Sequence, residues 1–284
     1  MSVVLDKKRF GPWALITGAS SGIGKEFARQ IAASKINVVL VARREDLLKQ
    51  AGAEFSKRYG VEHRVAVLDL SREDFIGQLV AATADLDIGL VVSNAGTGNP
   101  GRFLTNDLDK MASLLRLNTL AHLRIAHHFG KTLTARGRGG FLFVGAMGAD
   151  KGIAYMANDS GAKSYVHSLA ASLNAEWKSL GVHVTAMAPG VTDTPVLAKF
   201  GLSREILPMK PMKVEACVSE GLEALQKNRP MIIPGRMNRM MNAFVPASIT
   251  RSMMAKMFEK TFVPQPLLAL QVKSKASPIP RNGR

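Results

Sequence analysis

A glycine-rich segment joins the first apolar run of the chain to the first segment of helical character. The segment reads Thr17-Gly18-Ala19-Ser20-Ser21-Gly22-Ile23-Gly24. Glycines at this place let the backbone turn sharply and approach a pyrophosphate, whose charge the N–H groups and the dipole of the helix start then stabilise. Because the glycines lie directly between a strand-like run and a helix, they predict a dinucleotide-binding loop rather than a simple tight turn.

Apolar runs of strand length alternate with helical segments along most of the chain. The runs are residues 13–17, 37–42, 65–70, 90–93, 141–144, 182–188 and 231–234, and helical character is strongest in residues 45–59 and 108–133. Continuous apolar runs are typical of strands buried on both faces, and their alternation with helices is typical of parallel sheets. The sequence therefore predicts an α/β fold with a doubly wound, Rossmann-type parallel sheet of about seven strands, in one domain over residues 1–235.

Length and cysteine content narrow the class of protein. A chain of 284 residues with 46% hydrophobic residues can bury one large core. No apolar stretch has the length of a membrane-spanning helix, and the N-terminal residues do not resemble a signal peptide. Cys217 is the only cysteine, which excludes an intrachain disulfide and a cysteine metal cluster. We expect a soluble, cytoplasmic protein without a bound metal.

Two arginines, Arg43 and Arg44, follow the second apolar run. At the end of this strand, an acidic residue accepts hydrogen bonds from the adenosine ribose, whereas a basic residue pairs with a 2′-phosphate. The arginines therefore favour NADP(H) as the cofactor. The alternative is that they are solvated residues at the start of a helix, partly neutralised by Glu45 and Asp46.

Further motifs resemble the short-chain dehydrogenase/reductase family over about residues 10–235. They are Asp69-Leu70 after the third strand, Asn94-Ala95-Gly96 after the fourth, Asn118 in Leu117-Asn118-Thr119, and Ala188-Pro189-Gly190-Val191-Thr192-Asp193-Thr194 after the sixth. The resemblance implies that Asp69-Leu70 contacts adenine and that Asn94-Ala95-Gly96 supports the sheet and cofactor. It also implies that Asn118 completes a proton relay and that the segment after the sixth strand holds the nicotinamide carboxamide and phosphates. It also implies hydride transfer to or from nicotinamide C4 and assembly into a homodimer or homotetramer.

The sequence departs from the family pattern at the catalytic residues. The family uses a Tyr, a Lys four residues after it and a Ser about thirteen residues before it. Lys163 matches the lysine, which also contacts the cofactor in the family, but Asp159 stands at the tyrosine position and Ala146 at the serine position. Tyr155 precedes Lys163 by eight residues, about 12 Å along a helix. It can reach the site only if the chain before Asp159 folds back.

Asp159 has two interpretations. A carboxyl one turn from Lys163 should have a lowered pKa, which makes it a poor acid near neutral pH but leaves it able to act as a base. Alternatively, Asp159 caps the helix or forms an i,i+4 ion pair with Lys163. The candidate catalytic residues are thus Asn118, Lys163, Asp159 and Tyr155.

These residues predict an NADP(H)-dependent oxidoreductase that acts on the carbonyl or alcohol of an apolar small molecule with a non-standard active site. Two alternatives stay open at this point. One is an enzyme on the same scaffold with non-redox chemistry, such as a lyase or isomerase that uses Asp159 as a base. The other is a cofactor-bound partner or sensor without catalysis.

The C-terminal part of the chain is basic and rich in methionine. Residues 236–284 carry nine Lys or Arg and one acid, Glu259, and so +8 of the net charge of +16. Helical spacing over residues 236–262 predicts two amphipathic helices, with a flexible tail over residues 263–284. The first helix has one apolar stripe, formed by Met237, Met240, Met241, Phe244 and Val245.

These helices allow two kinds of partner. Methionines adapt to irregular apolar shapes, so the stripes are expected to cover the substrate cleft or a subunit interface. Their basic residues also permit peripheral contact with an anionic membrane surface. Nucleic-acid binding is not expected, because residues 236–284 have no aromatic side chains besides Phe244, Phe258 and Phe262 and contain no recognised nucleic-acid module.

Overall fold

A single parallel sheet organises the protein, whose computed structural model describes residues 3–200, 207 and 210–262. The strand order is β3-β2-β1-β4-β5-β6-β7, which confirms the doubly wound, Rossmann-type sheet of seven strands. The strands are β1 Trp13–Thr17, β2 Asn37–Ala42, β3 His63–Val67, β4 Ile88–Ser93, β5 Gly139–Val144, β6 Val182–Met187 and β7 Met231–Ile232.

Helices connect these strands and continue beyond the last one. They are α1 Lys7–Phe10, α2 Gly22–Ala33, α3 Glu45–Tyr59, α4 Phe75–Thr83, α5 Leu108–Leu115, α6 Ala121–Ala135, α7 Ala157–Lys178, α8 Pro195–Lys199, α9 Val214–Gln226, α10 Arg236–Phe244 and α11 Ala247–Phe262. The π-helical turn Arg116–Leu120 joins α5 to α6. The helix predicted over residues 108–133 is therefore helical throughout, but one turn changes its hydrogen-bond pattern.

Both faces of the sheet are buried. Along β1, Ala14 and Ile16 pack with one apolar layer, which includes Phe27 of α2. Leu15 between them packs with the other layer, which includes Val166 of α7. Because alternate residues enter two apolar layers, each central strand needs apolar side chains at almost every position. This requirement explains why the strands read as continuous apolar runs.

The edge strand β3 differs from its prediction. It covers His63–Val67 and has one exposed face, whereas the apolar run extends over residues 65–70. Leu68 and Leu70 are buried beyond the end of the strand, where they line the cleft described below. Their apolar character therefore reflects burial in a loop, which a strand pattern cannot distinguish from burial in a sheet.

Helices α10 and α11 form the C-terminal extension, but the stripe predicted on α10 is divided. Met241 and Val245 line the cleft, whereas Met237, Met240 and Phe244 are exposed. No helix in the described part of the chain is long and apolar enough to cross a membrane. The predicted flexible tail, residues 263–284, lies outside the described residues.

The glycine-rich loop between β1 and α2 depends on close approach of its backbone. Gly18 and Gly22 have φ values of 68° and 55°, which lie in the left-handed region that favours glycine. A Cβ atom at Gly24 would lie 2.2 Å from the carbonyl oxygen of Gly18. The first turn of α2 can thus pack on the loop only if residue 24 has no side chain.

We expect Gly24→Ala to destabilise the protein by about 1–3 kcal/mol, because the methyl group meets rigid backbone and not a flexible side chain. Denaturant unfolding measures the change. Gly77→Ala in α4 is the matched control, since a Cβ there has no neighbour within 4 Å, and it should be neutral or slightly stabilising. Equal stability of the two variants would contradict the packing argument.

Candidate active site

The carboxyl ends of β1 and β4 are joined by Thr17. Its hydroxyl oxygen accepts hydrogen bonds from the N–H groups of Asn94 and Ala95, both at 2.9 Å. The Asn94 side chain donates to the Thr17 carbonyl oxygen at 2.9 Å. Since β1 and β4 are the neighbours at which the strand order reverses, the crevice for a ligand is expected here.

A cleft of about 880 Å³ opens at these strand ends. It is lined by every residue for which the sequence predicts a cofactor contact: Gly18, Ser20, Ser21, Gly22, Ile23, Gly24, Arg43, Arg44, Asp69, Leu70, Asn94, Ala95, Gly96, Lys163, Pro189, Gly190, Val191, Thr192 and Thr194. Asp159 lines the same cleft. The structure thus brings the residues together, and their contacts with a cofactor stay a prediction.

Arg44 is bound to the glycine-rich loop. Its guanidinium donates to the hydroxyl of Ser20 at 2.8 Å and to that of Ser21 at 2.6 Å. Among the described residues it has no carboxylate partner within 4.0 Å; Glu45, one of the two acids that the alternative interpretation places beside it, pairs with Lys49 instead. The positive charge of Arg44 therefore remains available to an anion beside two hydroxyl groups.

Arg43 has a different environment. Its side chain is 72% exposed, and its guanidinium lies 3.6 Å from the carboxylate of Asp69. Burial favours the neutral form of Asp69, but hydrogen bonds from Ser71 and the charge of Arg43 together hold the pKa of this carboxyl below its usual value. Asp69 is consequently ionised at neutral pH and partly balances Arg43.

Lys163 lies at the floor of the cleft. Its ammonium donates to the Val144 carbonyl oxygen at 3.1 Å. Burial lowers the pKa of Lys163 to about 8, although the carboxylate of Asp159 opposes this change. A Cβ atom at Gly96 would lie 2.9 Å from the ammonium nitrogen, so glycine at this position leaves space for the lysine.

Asp159 is a buried carboxyl group, only 6% exposed. Its Oδ2 atom accepts a hydrogen bond from the N–H of Asn99 at 3.3 Å, and its buried Oδ1 atom has no hydrogen-bond partner. Burial raises the pKa of Asp159, while the Asn99 hydrogen bond and the charge of Lys163 lower it less. The expected lowering is therefore wrong, because desolvation outweighs the neighbouring lysine.

The helix-cap and ion-pair interpretations of Asp159 are also wrong. Helix α7 begins at Ala157, with Met156 at the N-cap position, so Asp159 lies inside the first turn. No ion pair within 4.0 Å joins Asp159 to Lys163 in the described structure; the ammonium instead donates to Val144. Asp159 thus lines the cleft with one carboxyl oxygen bound to the Asn99 N–H and the other buried without a hydrogen-bond partner.

Asn118 lies behind the cleft in the π-helical turn. Its side-chain oxygen accepts from the Thr97 N–H at 3.1 Å, and its side-chain nitrogen donates to the Thr97 carbonyl at 2.7 Å. Asn118 is only 1% exposed. In this structure it holds the segment after β4 in place and does not itself line the cleft.

Tyr155 is not brought to the site. Its φ of 62° lies in the left-handed region, and its carbonyl oxygen accepts from the Gly101 N–H at 2.8 Å. The side chain lines a separate cavity of about 400 Å³, together with Arg102 and Asn158. The fold-back that would bring Tyr155 to the cleft is therefore absent, and we assign it no proton-transfer role.

Two histidines behind the cleft are not singled out by the sequence motifs. His167 accepts a hydrogen bond from the Ala146 N–H at 3.3 Å, and burial lowers its pKa. His122 lies 2.7 Å from the Ser93 hydroxyl, and burial together with Lys163 lowers its pKa to about 3. Both side chains are therefore neutral; His167 holds the backbone at Ala146, and His122 holds the Ser93 side chain at the end of β4.

Helical spacing could have identified these histidines. His122 follows Asn118 by four residues, and His167 follows Lys163 by four residues, so each shares a helix face with a candidate catalytic residue. The apolar part of the cleft is equally hard to predict from motifs. Its apolar lining includes Leu117, Ile153, Met156, Val196, Leu197, Phe200, Met241, Val245, Met253 and Met254.

Known proteins share both the sequence and the fold. The 7beta-hydroxysteroid dehydrogenase of Collinsella aerofaciens is 29% identical over 236 residues, which cover 82% of this chain and 89% of that protein. The very-long-chain 3-oxoacyl-CoA reductase of Meyerozyma guilliermondii is 35% identical over 185 residues, which cover 61% of this chain and 54% of that protein.

Solved structures agree with these relatives. A structure of a 7beta-hydroxysteroid dehydrogenase has a TM-score of 0.80 at 27% identity and covers 88% of this chain and 99% of its own. A short-chain dehydrogenase from Sphingobium yanoikuyae in complex with NADPH has a TM-score of 0.75 at 26% identity and covers 90% and 97%. The model of the short chain dehydrogenase family matches residues 12–204. The chain therefore belongs to the short chain dehydrogenase family of oxidoreductases.

Proposed function

We propose that this protein interconverts a ketone and a secondary alcohol on a bulky apolar molecule, with NADP(H) as the cofactor and Asp159 as the proton donor and acceptor. One observation carries the proposal: a buried carboxyl with an unpartnered oxygen shares the cleft with Lys163 and with the glycine-rich loop. Burial also raises the pKa of this carboxyl. It can thus carry a proton closer to neutral pH than an ordinary aspartate can.

The cleft residues fit a dinucleotide with a 2′-phosphate. The glycine-rich loop leads into α2, where N–H groups at a helix start favour a pyrophosphate. Arg44, Ser20 and Ser21 offer a cation and two hydroxyl groups at the end of β2, which suits a phosphate better than a ribose hydroxyl. The NADPH complex of the Sphingobium yanoikuyae relative is consistent with this choice.

The chemistry divides between the cofactor and the chain. When bound, the dihydronicotinamide supplies a hydride to the carbonyl carbon of the substrate. Asp159 donates its carboxyl proton to the carbonyl oxygen, becomes a carboxylate and regains a proton from water; in the reverse direction the carboxylate accepts the alcohol proton. The Lys163 ammonium stabilises the carboxylate that each reduction leaves, since its charge lowers the pKa of Asp159.

The walls of the cleft favour a large apolar substrate. Side chains from α8, α10 and α11 enclose its outer half, including Leu197, Met241 and Met254. These residues offer mainly dispersion and hydrophobic contacts, so they select for apolar volume more than for polar groups. The substrates named for the relatives, a hydroxysteroid and a very-long-chain 3-oxoacyl-CoA, both have large apolar parts.

We expect Arg44→Ala to weaken NADPH binding by about 10- to 100-fold, because a charge-assisted hydrogen bond to phosphate is lost. Fluorescence titration with NADPH and NADH separates this effect from damage to the loop, since NADH affinity should stay unchanged. Arg72→Ala, which removes an exposed arginine paired with Asp74, is the control. A parallel loss of both affinities would contradict recognition of the 2′-phosphate.

We expect Asp159→Asn to lower ketone reduction by about 10²- to 10⁴-fold while NADPH binding is retained, because the amide cannot donate a carboxyl proton. NADPH consumption across a panel of bulky ketones measures the rate. Asp150→Asn, at an exposed acid after β5, is the control. An unchanged rate in Asp159→Asn would assign the proton to water or to another group.

The pH profile provides a second test of Asp159. Reduction needs the protonated carboxyl, so the wild-type rate should fall as the pH rises through the raised pKa of Asp159. Loss of the Lys163 charge above about 8 should lower it further. The Asp159→Asn variant should lack the first fall. If the wild type binds NADPH but consumes none with any ketone, the oxidoreductase proposal fails and the non-redox and sensor alternatives take its place.

A further inference from the structure

Helices α10 and α11 have an inner side that lines the cleft and an outer side that faces solvent. On the inner side, Met241, Val245 and Met254 line the cleft. The Lys151 ammonium donates to the carbonyl oxygens of Asn242 and Val245, at 3.0 and 3.1 Å. The inner side therefore holds the helices in place, and the outer side is not needed to attach them.

Large apolar side chains on the outer side are exposed. Met237, Met240 and Phe244 have exposed fractions of 56%, 54% and 80%, and Ile249 at the start of α11 is 56% exposed. Met237, Met240 and Phe244 are spaced three and four residues apart, so they share one stripe of α10. An exposed cluster of large apolar residues costs solubility unless it has a partner, and such patches mark interaction sites.

Positive charges surround this apolar stripe. Arg236, Arg251 and Lys256 are exposed on the same two helices. Residues 224–258 contain no Asp or Glu, and residues 263–284 add four Lys or Arg without an acid. The nearby acids are Glu259, exposed on α11, and Asp150, which lies next to Lys151 on the turn against which α11 packs. Glu220 on α9 is paired with Arg239 of α10. The surroundings of the stripe are thus basic.

We propose that the outer face, formed by Met237, Met240, Phe244, Ile249, Arg236, Arg251 and Lys256, docks on the surface of a bilayer with anionic headgroups. The apolar side chains enter the boundary between headgroups and acyl chains, and the arginines and lysine contact the headgroup phosphates. A second copy of the chain is a poorer partner, because a twofold contact between two such faces brings three cations of each copy together with Glu259 as the one exposed acid on the described part of the two helices.

This docking supplies a route for the substrate, an inference that rests on the apolar substrate of the proposed function. The two helices that contact the bilayer on one side border the cleft on the other. An apolar ketone dissolved in the membrane would then pass from lipid to the cleft past methionine side chains, without crossing a long aqueous distance. The protein would stay peripheral, since the described helices include none that could span the bilayer.

The test is co-sedimentation of the full chain with vesicles of phosphatidylcholine alone or with about one-third phosphatidylglycerol. We expect at least about tenfold stronger binding to the anionic vesicles, weakened by added salt. The double variant Met240→Ser with Phe244→Ser should bind about tenfold less than the wild type. Arg251→Gln with Lys256→Gln should lose about fivefold for each charge.

The matched control is Leu104→Ser with Leu108→Ser. These leucines are 92% and 74% exposed but lie outside the outer face, so the control should bind vesicles as the wild type does. Equal binding to neutral and anionic vesicles would overturn the proposal. Unchanged binding of Met240→Ser with Phe244→Ser would also overturn it, because all charges of the chain are retained in that variant.

Two further measurements separate this proposal from other outcomes. One outcome is that the wild type self-associates and does not bind vesicles, while Met240→Ser with Phe244→Ser does not self-associate. That result would identify a second copy of the chain as the partner of the outer face. NADPH consumption with a water-soluble ketone in vesicle-free buffer should be the same in the variant and the wild type, since neither Met240 nor Phe244 lines the cleft. Failure of docking and failure of the proposed catalysis therefore give different results.

Discussion

The hydroxyl of Thr17 joins the two strands between which the cleft opens, and the remaining site geometry follows from that joint. By accepting the N–H groups of Asn94 and Ala95, it fixes the segment after β4 against the end of β1. Gly18 and Gly24 can then approach the same point because neither carries a Cβ atom. Asn118 holds the next part of that segment through Thr97. The site is thus built mainly from backbone positions that side chains of adjacent elements hold in register.

Burial sets the chemistry of the floor of this cleft. It raises the pKa of Asp159 and lowers that of Lys163 to about 8. A carboxyl and an ammonium that are far apart in proton affinity in water are thereby brought closer together. The family pattern instead combines a phenol with the same lysine, and a phenol starts near pKa 10, above the neutral range. Desolvation thus raises the pKa of the carboxyl, whereas a neighbouring lysine lowers the pKa of a phenol. Each change brings the group closer to proton transfer near neutral pH.

The sequence predicts the sheet and the glycine-rich loop beside the cleft well because both are encoded locally. Continuous apolar runs mark strands buried on two faces, and glycines mark close backbone approach. The environment of Asp159 is not local: its hydrogen-bond donor, Asn99, lies 60 residues away, and its burial depends on several loops. Tyr155 shows a second limit, since its position depends on a φ of 62°, a left-handed conformation that a tyrosine, unlike a glycine, does not indicate.

The C-terminal helices show why a periodic pattern alone does not identify a buried face. The stripe of α10 satisfies helical spacing, yet it is wide enough for Met241 to face the cleft while Met237 and Phe244 face solvent. A helix that is apolar over more than its buried side needs a second partner, and the basic residues of the outer face restrict what that partner can be. Because the inner side already borders the cleft, any partner on the outer side would lie about one helix diameter from the cleft. The outer face and the cleft are therefore opposite sides of the same helix, which is the arrangement that the proposed docking requires.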